Sequence, residues 1–336
     1  MNYYAKRVLR SGLTVYIVVT LSFVLVRLMP GGPADFVKAQ IRKQNPAATP
    51  DEINRMVEQY ISLRPDRPLS EQYINYLDGL LHLDLGTSVY YNRPVAEIYA
   101  EAIPWTLFVM GVALLISLFI SITLGAFLAY YEGTKIDYIL STVSVTMNSV
   151  PYYIAGIFLL VIFAHTLGLF PSGDRTTMGI EPGFTVEYIL DVLWHAALPI
   201  LSVVLTAFGG RALGMRGNSI RVLGEDYIRV ARLRGLPSNR IQLQYVARNA
   251  VLPIYTNVMI QIGFILGGSI ILEQIFRYPG VGFYFFRSIN ARDYPLMMGG
   301  FLIITLAVII AITIADFTYG IIDPRASSGG GNHEAF

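Results

Sequence analysis

The residues that could do chemistry are few, and their spacing excludes most of it. A phosphate-cradling loop needs a lysine directly behind a glycine. Lys6, Lys38, Lys43 and Lys135 instead follow Ala5, Val37, Arg42 and Thr134, which excludes a P-loop. The sequence contains no cysteine, so thiolate metal sites, cysteine nucleophiles and disulfides are excluded together. His82, His165, His195 and His333 never pair at metal-ligand spacing on one helix. His165 and His195 fall near the ends of apolar runs, where a structural hydrogen bond is expected rather than a proton relay. A serine beside either histidine would be the minimum for hydrolysis, but no nucleophile motif accompanies them. Ion-coupled carriers place carboxylates or histidines inside apolar spans. Such residues are nearly absent here, and Asp316 is expected to cap or pack near the end of its run, against Arg325. The expectation is a chain with no catalytic residue and no metal site.

One segment concentrates charge. Residues 211–248 hold Arg211, Arg216, Arg221, Arg229, Arg232, Arg234, Arg240 and Arg248 against Glu225 and Asp226, a net +6 without any lysine. Between Tyr227 and Gly235 the pattern is helical, with Tyr227, Ile228, Val230 and Ala231 on one side and Arg229 and Arg232 on the other. Gly235 and then Pro237 form a stop signal. A basic loop lying on anionic lipid and a helix docking onto a protein both fit this composition.

The elements that must carry this segment follow from composition. Of 336 residues, 54% are apolar and 14% charged, with mean hydropathy +0.52. Soluble domains carry about 25% charged residues. The fold class read from this is an all-α polytopic membrane protein; disorder and collagen are excluded, and a net charge of +2 is no nucleic-acid signature. A bilayer core needs about 20 helical residues. Uncharged windows run 11–26, 103–131, 138–170, 192–210, 249–272 and 294–315, giving six expected spans. The third would be roughly 50 Å long as one helix, and Pro151 is expected to kink it. Pro104 is expected in the first turn of its span. The N-terminal run follows Lys6, Arg7 and Arg10 like a signal peptide but lacks a small-x-small cleavage pattern, so an uncleaved first helix is expected, with Arg27 snorkelling.

Basic residues in the short loops orient the chain. They favour the side holding Lys6, Arg7, Arg10, Lys135, 211–248 and Arg325 over the side holding Arg175, Arg277, Arg287 and Arg292. Both termini are therefore expected in the cytoplasm, the organisation being 1–30 as cytoplasmic end and first helix, 31–102 as an extracytoplasmic insertion, 103–322 as a transmembrane core containing a cytoplasmic region at 217–246, and 323–336 as a cytoplasmic tail. Residues 31–102 carry ten acidic and seven basic side chains. Thr49-Pro50-Asp51-Glu52 opens a helix toward Tyr60, and Leu69, Tyr73, Tyr76, Leu77, Leu80 and Leu81 recur at helical spacing. A small folded domain is expected there rather than a disordered connector.

Ordered blocks along nearly the whole chain carry a resemblance. They are Arg7-Val8-Leu9 through Leu28-Met29-Pro30-Gly31, Leu83-Asp84-Leu85-Gly86-Thr87-Ser88 with Arg93-Pro94-Val95, Ser149-Val150-Pro151, and Leu167-Gly168-Leu169-Phe170-Pro171-Ser172-Gly173. Glu225-Asp226-Tyr227-Ile228-Arg229-Val230-Ala231-Arg232-Leu233-Arg234-Gly235-Leu236 follows, then Arg248-Asn249-Ala250-Val251-Leu252-Pro253. Phe276-Arg277-Tyr278-Pro279-Gly280-Val281-Gly282, Arg292-Asp293-Tyr294-Pro295 and Asp323-Pro324-Arg325 complete the set. In this order they resemble the membrane permease subunit of a type I ATP-binding-cassette importer, in the dipeptide, oligopeptide and nickel branch.

The resemblance implies a six-helix permease fold and a chain that binds no cofactor, with ATP and Mg used by partner subunits. The implied partners are a second homologous permease, two ABC ATPase subunits, an extracytoplasmic substrate-binding protein and the lipid bilayer, with no nucleic acid. The chain would sit in the cell's inner or plasma membrane and form half of an alternating-access path for peptides or related small solutes. The helix at 227–235 would be the coupling helix that docks on an ATPase through Glu225, Asp226, Tyr227, Arg229, Ala231, Arg232, Gly235 and Leu236. Where the general importer motif has a glutamate and two alanines before a glycine, this chain has Arg229, Val230, Ala231 and Gly235, a departure that resembles the peptide branch. Asn148, Ser149, Asn257 and Gln261 are candidates for lining the path, with ordinary interhelical hydrogen bonding as the competing role. The alternative class is an ion-coupled secondary transporter, which would need midplane ligands or repeated broken helices; an exporter of the same superfamily would not show these ordered blocks.

Overall fold

The computed structural model describes residues 3–28, 38–39, 41–43, 45–60, 68–251, 253–254, 258, 261–262, 265 and 270–322. Helices dominate them: α1 (Tyr3–Leu28), α2 (Pro50–Tyr60), α3 (Leu69–Leu81), α4 (Val95–Tyr130), α5 (Lys135–Ser149), α6 (Tyr152–Leu159), α7 (Val186–Leu223), α8 (Asp226–Leu233), α9 (Ile270–Ile275), α10 (Val281–Ala291) and α11 (Tyr294–Ile322). A π-helical turn, Leu160–Thr166, continues α6, and a second, Ile241–Ala247, lies between short helical pieces after α8. The only β pairing among the described residues is an isolated antiparallel bridge between Thr87 and Pro94. Among the described residues, three stretches are long and apolar enough to cross a membrane: Val95–Tyr130, Val186–Leu223 and Tyr294–Ile314. The pair Lys135–Ser149 and Tyr152–Thr166 would add a fourth, and Leu9–Leu25 is a shorter apolar stretch. Half of the expected span at 249–272 lies outside the described residues, as do the tail 323–336, the Arg27 side chain and the expected Asp316–Arg325 contact.

The chain forms two compact units, one built from 1–106, 266–270 and 279–309. In it, α2 opens on a capping box: the Thr49 N–H donates to Glu52 Oε2 at 2.9 Å and the Glu52 N–H donates to Thr49 Oγ1 at 3.4 Å. The bond from Thr49 holds the Glu52 carboxyl below the usual carboxylate range. Ile53 and Val57 then join Phe23 of α1 and Phe285, Tyr294, Met297 and Met298 in one core. Tyr73 and Tyr76 of α3 pack on Phe23, with ring centroids 5.2 and 5.7 Å away. The segment expected as a separate folded domain thus has ordered helices, but its core is shared with α1, α10 and α11.

A buried carboxylate ties this unit together. Asp293, 0% exposed, accepts hydrogen bonds from the Ser88 hydroxyl at 2.5 Å, the Tyr90 N–H at 3.0 Å and the Leu296 N–H at 3.2 Å. It caps the start of α11 while holding Ser88 and Tyr90, so two motif blocks about 200 positions apart meet at one carboxylate. Pro104 is not where the first-turn expectation placed it: α4 begins at Val95, so Pro104 lies inside a continuous helix. Val95, Ile98, Tyr99 and Ala102 supply the reason, because this i, i+3, i+4, i+7 stripe is buried with Val281 and Leu296. That burial outweighs an interior proline that costs about 3 kcal/mol. Gly299 and Gly300 of α11 leave room for Val95 and Tyr99, which a Cβ at either position would strike.

The second unit comprises 107–265, 271–278 and 310–336. Thr134 caps α5 by accepting the Asp137 N–H at 3.3 Å. The expected break at Pro151 is present: Val150 turns extended, as a residue before proline must, and the helices on either side meet at 93°. Thr185 caps α7 through the Tyr188 N–H at 3.2 Å. Close packing of α7 depends on its small residues, since a Cβ on Gly209 would run into the Ser144 backbone of α5. Gly125 of α4 likewise sits against Met215 and Ala212.

Candidate functional site

The basic helix forms as its sequence indicates, over Asp226–Leu233, and ends in a Schellman motif. The Leu236 N–H donates to the Ala231 carbonyl at 3.3 Å and the Gly235 N–H to the Arg232 carbonyl at 2.9 Å. Gly235 has φ +70 and open space where a Cβ would stand, so it is needed here for its left-handed backbone, not for a close approach within the chain. Ile228 and Ala231 are buried with Ile241 and Val246, and Leu236 and Tyr245 pack against that cluster. The single apolar side read from the sequence is therefore split: Ala231, 3% exposed, faces the chain's own core, while Tyr227 and Val230 face out. Leu233 joins them at 81% exposed.

Glu225, Asp226, Arg229, Arg232, Arg234 and Gly235 are also exposed, and Leu236 is half-buried. The resulting outer surface is apolar in the middle and basic at its edges. Its seat is fixed by the next motif block: Asn249 donates to the Tyr227 hydroxyl at 3.3 Å and to the Tyr245 carbonyl at 2.7 Å. Asn218 of α7 donates to the Ala250 carbonyl at 3.2 Å.

A cavity of ≈ 330 Å3 lies on the α7 side of this region. One wall is Gly210, Arg211, Gly214 and Asn218, and the other is Pro253, Ile254, Val258 and Gln261, each set at helical spacing. Arg211 is half-buried; it donates to Ser117 Oγ at 2.7 Å and to Gln261 Oε1. Of the three described candidate path residues, Gln261 lines this cavity. Asn148 is exposed, and its side chain packs on Gly210 beside the wall. Ser149 donates to the Val145 carbonyl of its own helix at 2.8 Å, which is local bonding. Asn257 lies outside the described residues.

Sequence reading missed Arg211, because the uncharged window ends at Gly210 and the arginine was counted with the basic loop. The available signal was the stripe Gly210, Arg211, Gly214, Asn218, small and polar on one face of a continuing helix. It also missed the partner of Arg216, which forks onto Asp137: Nε donates to Oδ1 at 2.8 Å and a terminal nitrogen to Oδ2 at 2.7 Å. The Gly133 N–H at 3.0 Å and the Ser141 hydroxyl at 3.2 Å complete the carboxylate's shell. His195 does make a structural contact, its Nδ1 lying 2.9 Å from the Asp191 carbonyl.

Comparison with known proteins adds an independent line. A family profile for the binding-protein-dependent transport system inner membrane component matches residues 121–328. The oligopeptide transport system permease protein AppB of Bacillus subtilis is 32% identical over 324 residues, covering 96% of this chain and 98% of that protein. The probable D,D-dipeptide transport system permease protein DdpB of Escherichia coli is 32% identical over 328 residues, 94% of each chain. The glutathione transport system permease protein GsiC of Salmonella choleraesuis is 32% identical over 325 residues, covering 96% and 98%.

Proposed function

The chain belongs to the binding-protein-dependent transport system inner membrane component family, and from that premise we propose that it is one permease subunit of an ATP-driven type I importer for peptides or closely related small solutes. Relatives named for oligopeptide, D,D-dipeptide and glutathione transport support the cargo class. In this reading six helices cross the membrane, both termini are cytoplasmic and residues 31–102 lie outside. A second permease completes the path, a binding protein delivers cargo, and two ATPase subunits use ATP and Mg.

The observation that carries the coupling role is the outer face of α8. Tyr227, Val230 and Leu233 stand exposed, edged by Arg229, Arg232 and Arg234, on a helix locked from beneath by Ile228 and Ala231. Apolar anchors with a charged rim are what a protein partner binds. ATP binding in the partner subunits moves these helices, and the path opens to one side or the other. Glu225, Asp226, Gly235 and Leu236 set the ends of the helix, and Ala231 supports it without touching the partner.

The test is co-purification with the ATPase subunits. Leu233→Asp is expected to lower association roughly tenfold or more, about 1.4 kcal/mol, with membrane insertion unchanged. Normal assembly and normal substrate-stimulated ATPase activity would remove α8 from the coupling site. The chain purified alone is expected neither to bind nor to hydrolyse ATP. In a sequence without cysteine, a cysteine placed at Ser70 is expected to react with an impermeant reagent from outside, and one at Ser238 only after permeabilisation. The reverse pattern would invert the topology.

A further inference from the structure

We propose that Arg211, with Ser117 and Gln261 at the wall of the ≈ 330 Å3 cavity, is a carboxylate-binding subsite that takes the C-terminal carboxylate of a short peptide. The cargo rests on the importer reading; the chemistry rests on the geometry. A guanidinium offers five N–H donors in a planar fork. Here its terminal nitrogens meet two neutral acceptors, and among the described residues no carboxylate accompanies them. Holding a half-buried cation with neutral partners is costly, and a hydroxyl or amide alone would serve as interhelical glue.

The surroundings fit an exchangeable ligand. The cavity volume is in the range that holds small molecules, and Gly214, with open space where a Cβ would stand, leaves room in the wall beside the guanidinium. A peptide carboxylate would replace the Gln261 oxygen and gain a charge-assisted fork. The site is also placed to respond to coupling, since its two walls are the segments that lead into and out of the α8 region. Asn218 and Ala250 join those segments directly, and Asn249 joins the second to α8 through Tyr227.

The experiment uses the purified full chain in a neutral detergent, with trialanine and trialanine amide as probes and thermal unfolding as the readout. Trialanine is expected to raise the unfolding temperature at concentrations where the amide does not. Arg211→Gln is expected to abolish that difference and Arg211→Lys to retain part of it. Gln261→Ala frees a donor, and is expected to lower the trialanine concentration for half effect by roughly tenfold, the scale of one hydrogen bond to a charged group. A merely structural latch gives no such gain. Equal responses to acid and amide, no response in the unaltered chain, or a difference that survives Arg211→Gln would each overturn the subsite. Proteoliposomes carrying the assembled importer separate the two readings. Acid-selective binding without peptide uptake would sink the importer reading and leave the subsite standing; uptake without Arg211-dependent selectivity would do the reverse.

Discussion

Arg211 and Arg216 stand five positions apart on α7 and show two uses of the same side chain. Arg216 is 27% exposed and is forked onto Asp137, itself 8% exposed and bonded further by Gly133 and Ser141. Every strong acceptor site of that carboxylate is occupied, and the pair joins α5 to α7. Arg211 faces a cavity, and its partners among the described residues are a serine and a glutamine. A cation with a matched anion is architecture; one beside open volume with neutral acceptors is poised for exchange. Breaking the first should cost folding, and breaking the second should cost function.

The largest expected effect is at the ion pair. Asp137→Ala leaves the Arg216 guanidinium without its carboxylate beside α5, and removing one partner of a buried pair costs about 3–5 kcal/mol. The exposed part of Arg216 places the expected loss near the lower end. Thermal unfolding in detergent should show it, and an unfolding temperature equal to that of the unaltered chain would erase the contrast with Arg211.

The next effect probes the same α5–α7 seam by packing. Gly209→Val would drive a branched side chain into the Ser144 backbone, which cannot swing aside as a side chain would. Overpacking of this kind costs about 1–3 kcal/mol, and the upper half of that range is expected. Gly210 is the useful neighbour, since a Cβ there meets the movable Asn148 side chain instead. Gly210→Ala should therefore cost less than Gly209→Val when both are measured by the same unfolding assay. Equal losses would mean that the seam is looser than its geometry indicates.

How much of this was legible in the sequence depended on whether the information was local. The Thr49–Glu52 capping box, the Pro151 break and the Gly235 stop all rest on interactions within a few residues, and all three are present. The Pro104 expectation failed because the stripe from Val95 to Ala102 gains its stability from Val281 and Leu296, nearly 200 residues away. Ala231 was placed with the outward side because helical spacing groups it with Tyr227 and Val230. Spacing cannot say which part of a wide apolar arc the rest of the chain will claim; the Ile241–Val246 turn claimed Ile228 and Ala231. Asp137 and Arg211 stand just outside the uncharged windows 138–170 and 192–210. A window test treats the first charge as the edge of a helix, whereas α7 continues unbroken to Leu223. Asn257 lies outside the described residues, so the fourth path candidate adds nothing to the comparison.

The smallest expected change in stability is the one that most sharpens the comparison. Arg211→Gln removes a cation that is not neutralised by any described carboxylate, and its shorter amide ends near the position of the arginine Nε, short of the two acceptors that the terminal nitrogens meet. What is lost is about one or two hydrogen bonds to a charged group; what is gained is relief from holding that charge half-buried. These terms oppose each other, so the net change should stay within about 1 kcal/mol, well below the cost of Asp137→Ala. Unfolding of the two variants under one set of conditions gives the ratio directly. An Arg211→Gln loss as large as that of Asp137→Ala would make Arg211 a second structural bolt on α7. A near-silent substitution, in a chain that still inserts and assembles, would leave the Arg211 charge free for a role other than holding the helices together.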